Sequence, residues 1–235
     1  MTRQLEIVCT SLRDAVDAQY GGADRIELCA RLSVGGLTPS PTLLRKVKST
    51  VQIPVFVLIR PRSRDFCYTN AEFTRLLHQI IEAKAHGADG IVCGALLPNG
   101  HLDVERTAQM VAAAHPLPFT FHRAFDRCQE PLTAIDRLAE LGVQRILTSG
   151  QCPTALEGIE NLKAFAKYAA GRLTILVGGG VRPEHLSALM AVEGLWEFHS
   201  SGRGEKARSI RKAVREMSLL MCLLMGRTLP EVSDP

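Results

Sequence analysis

The sequence predicts one (β/α)8 barrel of parallel strands, on three observations. Eight short apolar strand patterns alternate with helical patterns, with a strand roughly every 27 residues. The even-numbered strands are entered through a glycine that ends the preceding helix, at Gly22, Gly87, Gly142 and Gly194. The length of 235 residues suits this class, which typically needs about 200 to 250. The rival, an open doubly wound sheet, commonly has five or six strands and a glycine-rich first turn. Here that turn reads Cys9, Thr10, Ser11.

Taken in order, the first strand covers 5–9 and leads into a helix over 11–20, with Ser11 as its N-cap. The second strand spans 25–29. The third lies in IPVFVLIR after Pro54, the fourth over 90–93, and the fifth in PFTFHRAFD, where a buried run ends in His122, Arg123 and Asp126. The sixth covers 145–148, the seventh lies in GRLTILVGGG, and the eighth covers 195–199. Helices are predicted over 40–50, 70–86, 103–115, 130–141, 154–170 and 183–191.

Composition sets bounds on function. With 46% hydrophobic and 22% charged residues the chain can build one sizeable core. The net charge of +4 comes from basic residues spread over helix faces, which argues against a nucleic-acid partner. No stretch reaches the ~18 apolar residues of a membrane span, and the N-terminus enters a strand without a signal-peptide core, so a cytoplasmic protein is expected. The greasiest run, LLMCLLM at 219–225, suits the buried face of a helix or an oligomer contact. Seven cysteines at irregular spacing point to reduced thiols rather than a disulfide framework.

In a barrel the C-terminal strand ends carry the function, and nearly all of them here end in polar or sulfur chemistry. Cys9 and Cys29 end the first two strands, where two thiols would face each other across one strand spacing of ~4.8 Å. A two-sulfur site selects Cu(I), with Cys67, Cys128 or Cys152 as a third ligand. The ordinary alternative is a cysteine used as a small buried apolar residue. An acid–base set of Glu6, Glu27, Arg60, His122 and His199 is expected to point inward. It serves either as a structural ion network or as a catalytic one, with Arg60 and Arg62 holding an anion. Arg123 and Asp126 complete the catalytic candidates. Gly178, Gly179 and Gly180 after the seventh strand and Ser200 and Ser201 after the eighth fit a backbone seat for a phosphate or other oxyanion. Glycines there also serve simply to make tight turns.

GADRIELC, GGLTPS, IPVFVLIRPRSRDFCY, TFHRAFD, RILTSG, and GGGV followed by EFHSS occur in that order, and this set resembles the CutC family of copper homeostasis proteins. The resemblance covers 4 to about 203. It implies a (β/α)8 barrel, a cytoplasmic homo-oligomer (dimer or tetramer), and Cu(I) bound by cysteines at the ends of the first two strands, here Cys9 and Cys29. Beyond HSSGR the chain departs from the family pattern. Residues 1–203 are therefore expected to form the barrel core and 204–235 a divergent helix and tail of the same domain, with a shortened or irregular eighth helix. The expected function is copper homeostasis through Cu(I). The alternative is a barrel enzyme acting on a small anionic, possibly phosphorylated, substrate.

Overall fold

The computed structural model describes residues 3–203 and 209–225. Eight strands close a barrel in chain order: β1 (Gln4–Cys9), β2 (Arg25–Leu28), β3 (Val55–Leu58), β4 (Gly90–Cys93), β5 (Phe119–Phe121), β6 (Arg145–Thr148), β7 (Thr174–Val177) and β8 (Glu197–Ser200). Every neighbouring pair is parallel, and β8 pairs back onto β1 with Glu6 opposite His199. The helices between them are α1 (Leu12–Gly21), α2 (Pro41–Lys48), α3 (Asn70–Ala85), α4 (Val104–Ala114), α5 (Pro131–Glu140), α6 (Ile159–Ala169), α7 (Pro183–Met190) and α8 (Ile210–Leu224).

Strand alternation sorts the side chains into two layers. Leu5, Ile7, Ile26, Leu28, Val55 and Val57 face outward and pack into one large core under the helices. Val8, Phe56, Leu58 and Val92 face the barrel interior and form a separate small cluster. Below that cluster the interior is ionic. Arg25 pairs with Glu6 and, at 2.5 Å, with Glu197, which also accepts from Arg145 Nε at 2.8 Å. The Phe56 ring lies 5.2 Å from the Arg25 guanidinium and 5.4 Å from that of Arg145. Gly90 makes this stack possible, because a Cβ there would sit 2.7 Å from the ring. Removing Arg25 alone would leave two buried carboxylates short of a counterion, a change of about 3–5 kcal/mol.

Two helices depart most from the sequence expectation. The eighth helix is neither short nor irregular: α8 has 15 residues and is capped by Ser209, whose side chain accepts from the Lys212 N–H. It packs on α1 so closely that a Cβ at Gly21 would lie 2.6 Å from Val214. The sixth helix begins at Ile159 rather than at 154. The preceding residues are drawn aside, with the Ala155 N–H donating to the Gly179 carbonyl at 2.8 Å. The rest of the predicted 204–235 segment, 204–208 and 226–235, lies outside the described residues. No helix among the described residues is long and apolar enough to cross a membrane.

Candidate functional site at the barrel mouth

The C-terminal strand ends and the loops after them enclose a cavity of about 460 Å³, within the roughly 300–1,000 Å³ usual for small-molecule sites. Five arginines line it, Arg60, Arg123, Arg127, Arg182 and Arg203, against two carboxylates, Glu27 and Asp126. Asp126 is paired with Arg123 at 2.7 Å, and Arg203 reaches Asp14 at 2.8 Å.

Arg60 continues β3 past its last ladder residue and is only 6% exposed. Its Nη1 donates to the carbonyls of Val34, Gly35 and Gly36 at 3.1–3.2 Å, and Nη2 donates to that of Arg64 at 3.1 Å. Its Nε is buried without a partner, and no ion pair to a carboxylate occurs among the described residues. The guanidinium lies over the Phe66 ring at 4.8 Å. Burial pulls its pKa down from the ordinary arginine value, with Arg127 and Arg62 adding to the effect and Tyr68 opposing it.

His122 ends β5 with its ring against Phe66, centroids 4.8 Å apart. The Ala124 N–H donates to its Nδ1 at 3.2 Å, which assigns the proton of the neutral ring to Nε2. That Nε2 is buried and has no partner. Burial and the Arg60 charge hold His122 down at about 3, so the ring is neutral at physiological pH. Room for the ring comes from Gly94, where a Cβ would lie 2.8 Å from Nδ1.

Deeper in the barrel, His199 Nδ1 meets Glu6 Oε1 at 2.7 Å. Because a carboxylate only accepts, Nδ1 carries the proton. Burial acts against His199 protonation, but Glu6 and Glu27 outweigh it and raise its pKa. Glu6 goes the other way: burial would raise it, and Arg25 with His199 brings it down. Glu27 is 5% exposed with Oε2 unpartnered, and burial pushes its carboxyl well up. One ligand atom from each of Glu6, Glu27 and His199 lies within 4.8 Å of the others.

The residues singled out from the sequence divide into those at the cavity and those away from it. Glu27, Arg60, His122, Arg123, Asp126, Gly179, Gly180 and Ser201 line it. Asp126 has both oxygens engaged, by Arg123, the Thr148 hydroxyl, the Ser149 N–H at 3.1 Å and the Gln151 N–H at 3.2 Å. It therefore ties the β5 loop to the β6 loop. Arg62 turns away from the cavity, donating to Glu72 at 2.6 Å and Asp65 at 2.9 Å. Gly178 makes space for Leu147 and His199, and the Ser200 hydroxyl donates to the Val181 carbonyl at 2.7 Å. Gly179 and Gly180 have φ of +101° and +76°, and their N–H groups make no hydrogen bond among the described residues. A Cβ at Gly179 would lie 2.8 Å from Ser149 and 3.3 Å from Arg123.

The cysteines are not placed as the strand spacing suggests. Cys9 packs in the outer core and Cys29 in the inner cluster, so the two thiols leave adjacent strand ends on opposite faces of the sheet. A main-chain bond links them, Cys29 N–H to the Cys9 carbonyl at 3.0 Å. Burial raises both thiols, Cys29 to about 12. Of Cys67, Cys128 and Cys152, none lines the cavity. Sequence reasoning missed Phe66, which touches both Arg60 and His122. The signal for it was the long, arginine-rich connection after β3, since such a loop on the functional face of a barrel is unusual without a role. It also missed Arg25, Arg145 and Glu197, which open their strands at the opposite end.

Fold and site together define a (β/α)8 barrel with an arginine-lined cavity at its mouth. Residues 3–204 match the CutC family, and the chain belongs to it. A human relative named copper homeostasis protein cutC homolog is 46% identical over 202 residues, covering 86% of this chain and 74% of that one. A CutC family protein of Chromobacterium violaceum is 42% identical over 211 residues, 90% of this chain and 85% of that one. The crystal structure of CutC from Streptococcus agalactiae has a TM-score of 0.81 at 33% identity, covering 85% of this chain and 99% of that chain. A 2-keto-3-deoxy-6-phosphogluconate aldolase of Zymomonas mobilis shares the barrel, with a TM-score of 0.58 at 14% identity over 92% of this chain and 91% of that one.

The His122 environment predicts a pH dependence. The folded ring titrates near 3 and the unfolded ring near the ordinary 6.5. Between those values the unfolded chain binds the extra proton, so this group's contribution lowers stability as pH falls from 6.5 toward 3. Nitrogen NMR should show the His122 ring as the neutral Nε2–H tautomer at pH 5; a ring that titrates with a midpoint near 6.5 would contradict the assignment.

Proposed function

We propose that this protein acts in copper homeostasis in the cytoplasm, the role carried by its relatives' names, and that its working part is the mouth cavity, which binds a small anionic molecule. One observation carries the anion: Arg60 is a buried guanidinium with no carboxylate partner among the described residues. A buried charge is stable only when paired, and an anionic ligand supplies the missing partner. The partnerless Arg60 Nε and His122 Nε2 are both donors, and the N–H groups of Gly179 and Gly180 add backbone donors in the same cavity. A neutral donor beside a fixed cation suits a carboxylate or phosphate oxygen better than a cationic ligand. The exposed Leu219, Leu223 and Leu224 on α8 support a homo-oligomer.

Inorganic phosphate is the simplest probe. A ligand at 100 times its Kd stabilises a fold by about 2.7 kcal/mol, which raises the melting temperature by roughly 5–10 °C for a chain of this size. Saturating phosphate should give a shift of that order over sodium chloride of equal ionic strength. Arg60→Met should abolish it, while Arg62→Met, whose guanidinium faces Glu72, should keep it. Equal shifts in phosphate and chloride would rule out the anion seat.

A second reading has the cysteines bind Cu(I). The Cys29 N–H to Cys9 carbonyl bond keeps the two residues at adjacent strand ends, and the family resemblance points to these same positions. Ligation then requires Cys9 to turn from the outer core and both thiols to lose their protons. Under reducing conditions, a bicinchoninate competition should show stoichiometric Cu(I) uptake that the Cys9→Ala, Cys29→Ala double variant loses. A double variant that binds Cu(I) as tightly as the parent would exclude this pair.

A further inference from the structure

Below the anion pocket the carboxylates of the barrel interior outnumber its arginines. Glu6, Glu27 and Glu197 stand against Arg25 and Arg145. Arg25 and Arg145 are taken up by Glu6 and Glu197, which leaves Glu27 as the carboxylate without an arginine partner among the described residues. Its Oε2 is buried and partnerless, and the residue is 5% exposed. Beside it stands His199, whose Nδ1–H donates to Glu6 at 2.7 Å. The proton between His199 and Glu6 joins two atoms that can each ligate a metal once it leaves, so an ion in its place would keep both groups partnered. Glu6, Glu27 and His199 bring one ligand atom each to within 4.8 Å of one another, and Glu27 and His199 also line the mouth cavity.

We propose that Glu6, Glu27 and His199 form a site for a divalent first-row transition-metal ion at the floor of the mouth cavity. Two carboxylate oxygens and one imidazole nitrogen are a donor set for ions such as cobalt, zinc, manganese or cupric copper, and a poor one for cuprous ion, which prefers sulfur. The site is therefore distinct from any thiolate site at Cys9 and Cys29. The cavity above leaves the remaining coordination positions open to water or a small ligand. The ion would take the place of the proton held between Glu6 and His199, and would give the partnerless Glu27 oxygen a cation to bind.

Cobaltous chloride alone, titrated into the full chain with no added anion, tests the site independently of the anion reading. The parent should take up one equivalent with visible d–d bands and without the near-ultraviolet band of a cobalt–thiolate bond. Glu27→Gln, which keeps the side-chain shape and removes the carboxylate charge, should still unfold cooperatively and bind cobalt more weakly by on the order of 10- to 100-fold. His199→Ala should behave likewise, and the Cys9→Ala, Cys29→Ala double variant should bind as the parent does. Absence of uptake by the parent, a thiolate band that disappears in the cysteine variant, or unchanged affinity in Glu27→Gln would each overturn the assignment.

Discussion

The ion-pair layer that Arg25 makes with Glu6 and Glu197 governs what the rest of the barrel can do. Buried charges are tolerated only when paired, so each member of the layer is fixed in position by the others. Phe56, whose ring both guanidiniums approach, and Gly90 against that ring complete a rigid floor. Glu6 belongs to this floor and also orients His199, so the charge layer at one end of the barrel sets a ring that faces the cavity at the other. Above the layer, Val8, Leu58 and Val92 form a thin apolar belt, and the mouth begins where that belt ends.

The mouth combines a cation without a carboxylate partner among the described residues with a histidine held neutral well into the acid range. Arg60 spends its donors on loop carbonyls, which holds the Val34 to Gly36 loop and the Arg64 turn against the barrel rim. That leaves its charge and its Nε donor available to a ligand. His122, under the same Phe66 ring, is kept neutral by burial and by that very charge, so its Nε2 serves as a donor. Asp126 and Arg123, which the sequence marks with equal strength, are instead bound to each other and to the β6 loop. They hold the rim in shape so that Gly179 can approach Ser149 and Arg123 as closely as only a glycine permits.

How much of this could be read from the sequence follows from what each feature depends on. Strand and helix order depends on local periodicity and on glycine stops, and these gave the barrel and most element boundaries. The start of α6 depends on a tertiary bond from Ala155 to Gly179, which no local pattern reports. The cysteines were misplaced although the needed signal was present. Cys9 lies three residues from Glu6 and Cys29 two from Glu27, so with both glutamates facing inward the two thiols cannot share a face. Arg62 has the same parity as Arg60 but lies beyond the strand, where the loop is free to turn it toward Glu72. Partnering decides role as well. Nothing in the sequence distinguishes the saturated Asp126 from the partnerless Glu27, since that depends on tertiary contacts such as the Gln151 N–H to Asp126, 25 positions away.

The central claim is that the buried Arg60 and His122 donors await an anion, and a high-resolution crystal structure of the protein grown in phosphate tests it most directly. The geometry predicts a phosphate with oxygens within hydrogen-bond distance of both Arg60 Nε and His122 Nε2. A mouth holding only water, with Arg60 turned to pair with a carboxylate of the chain, would contradict it.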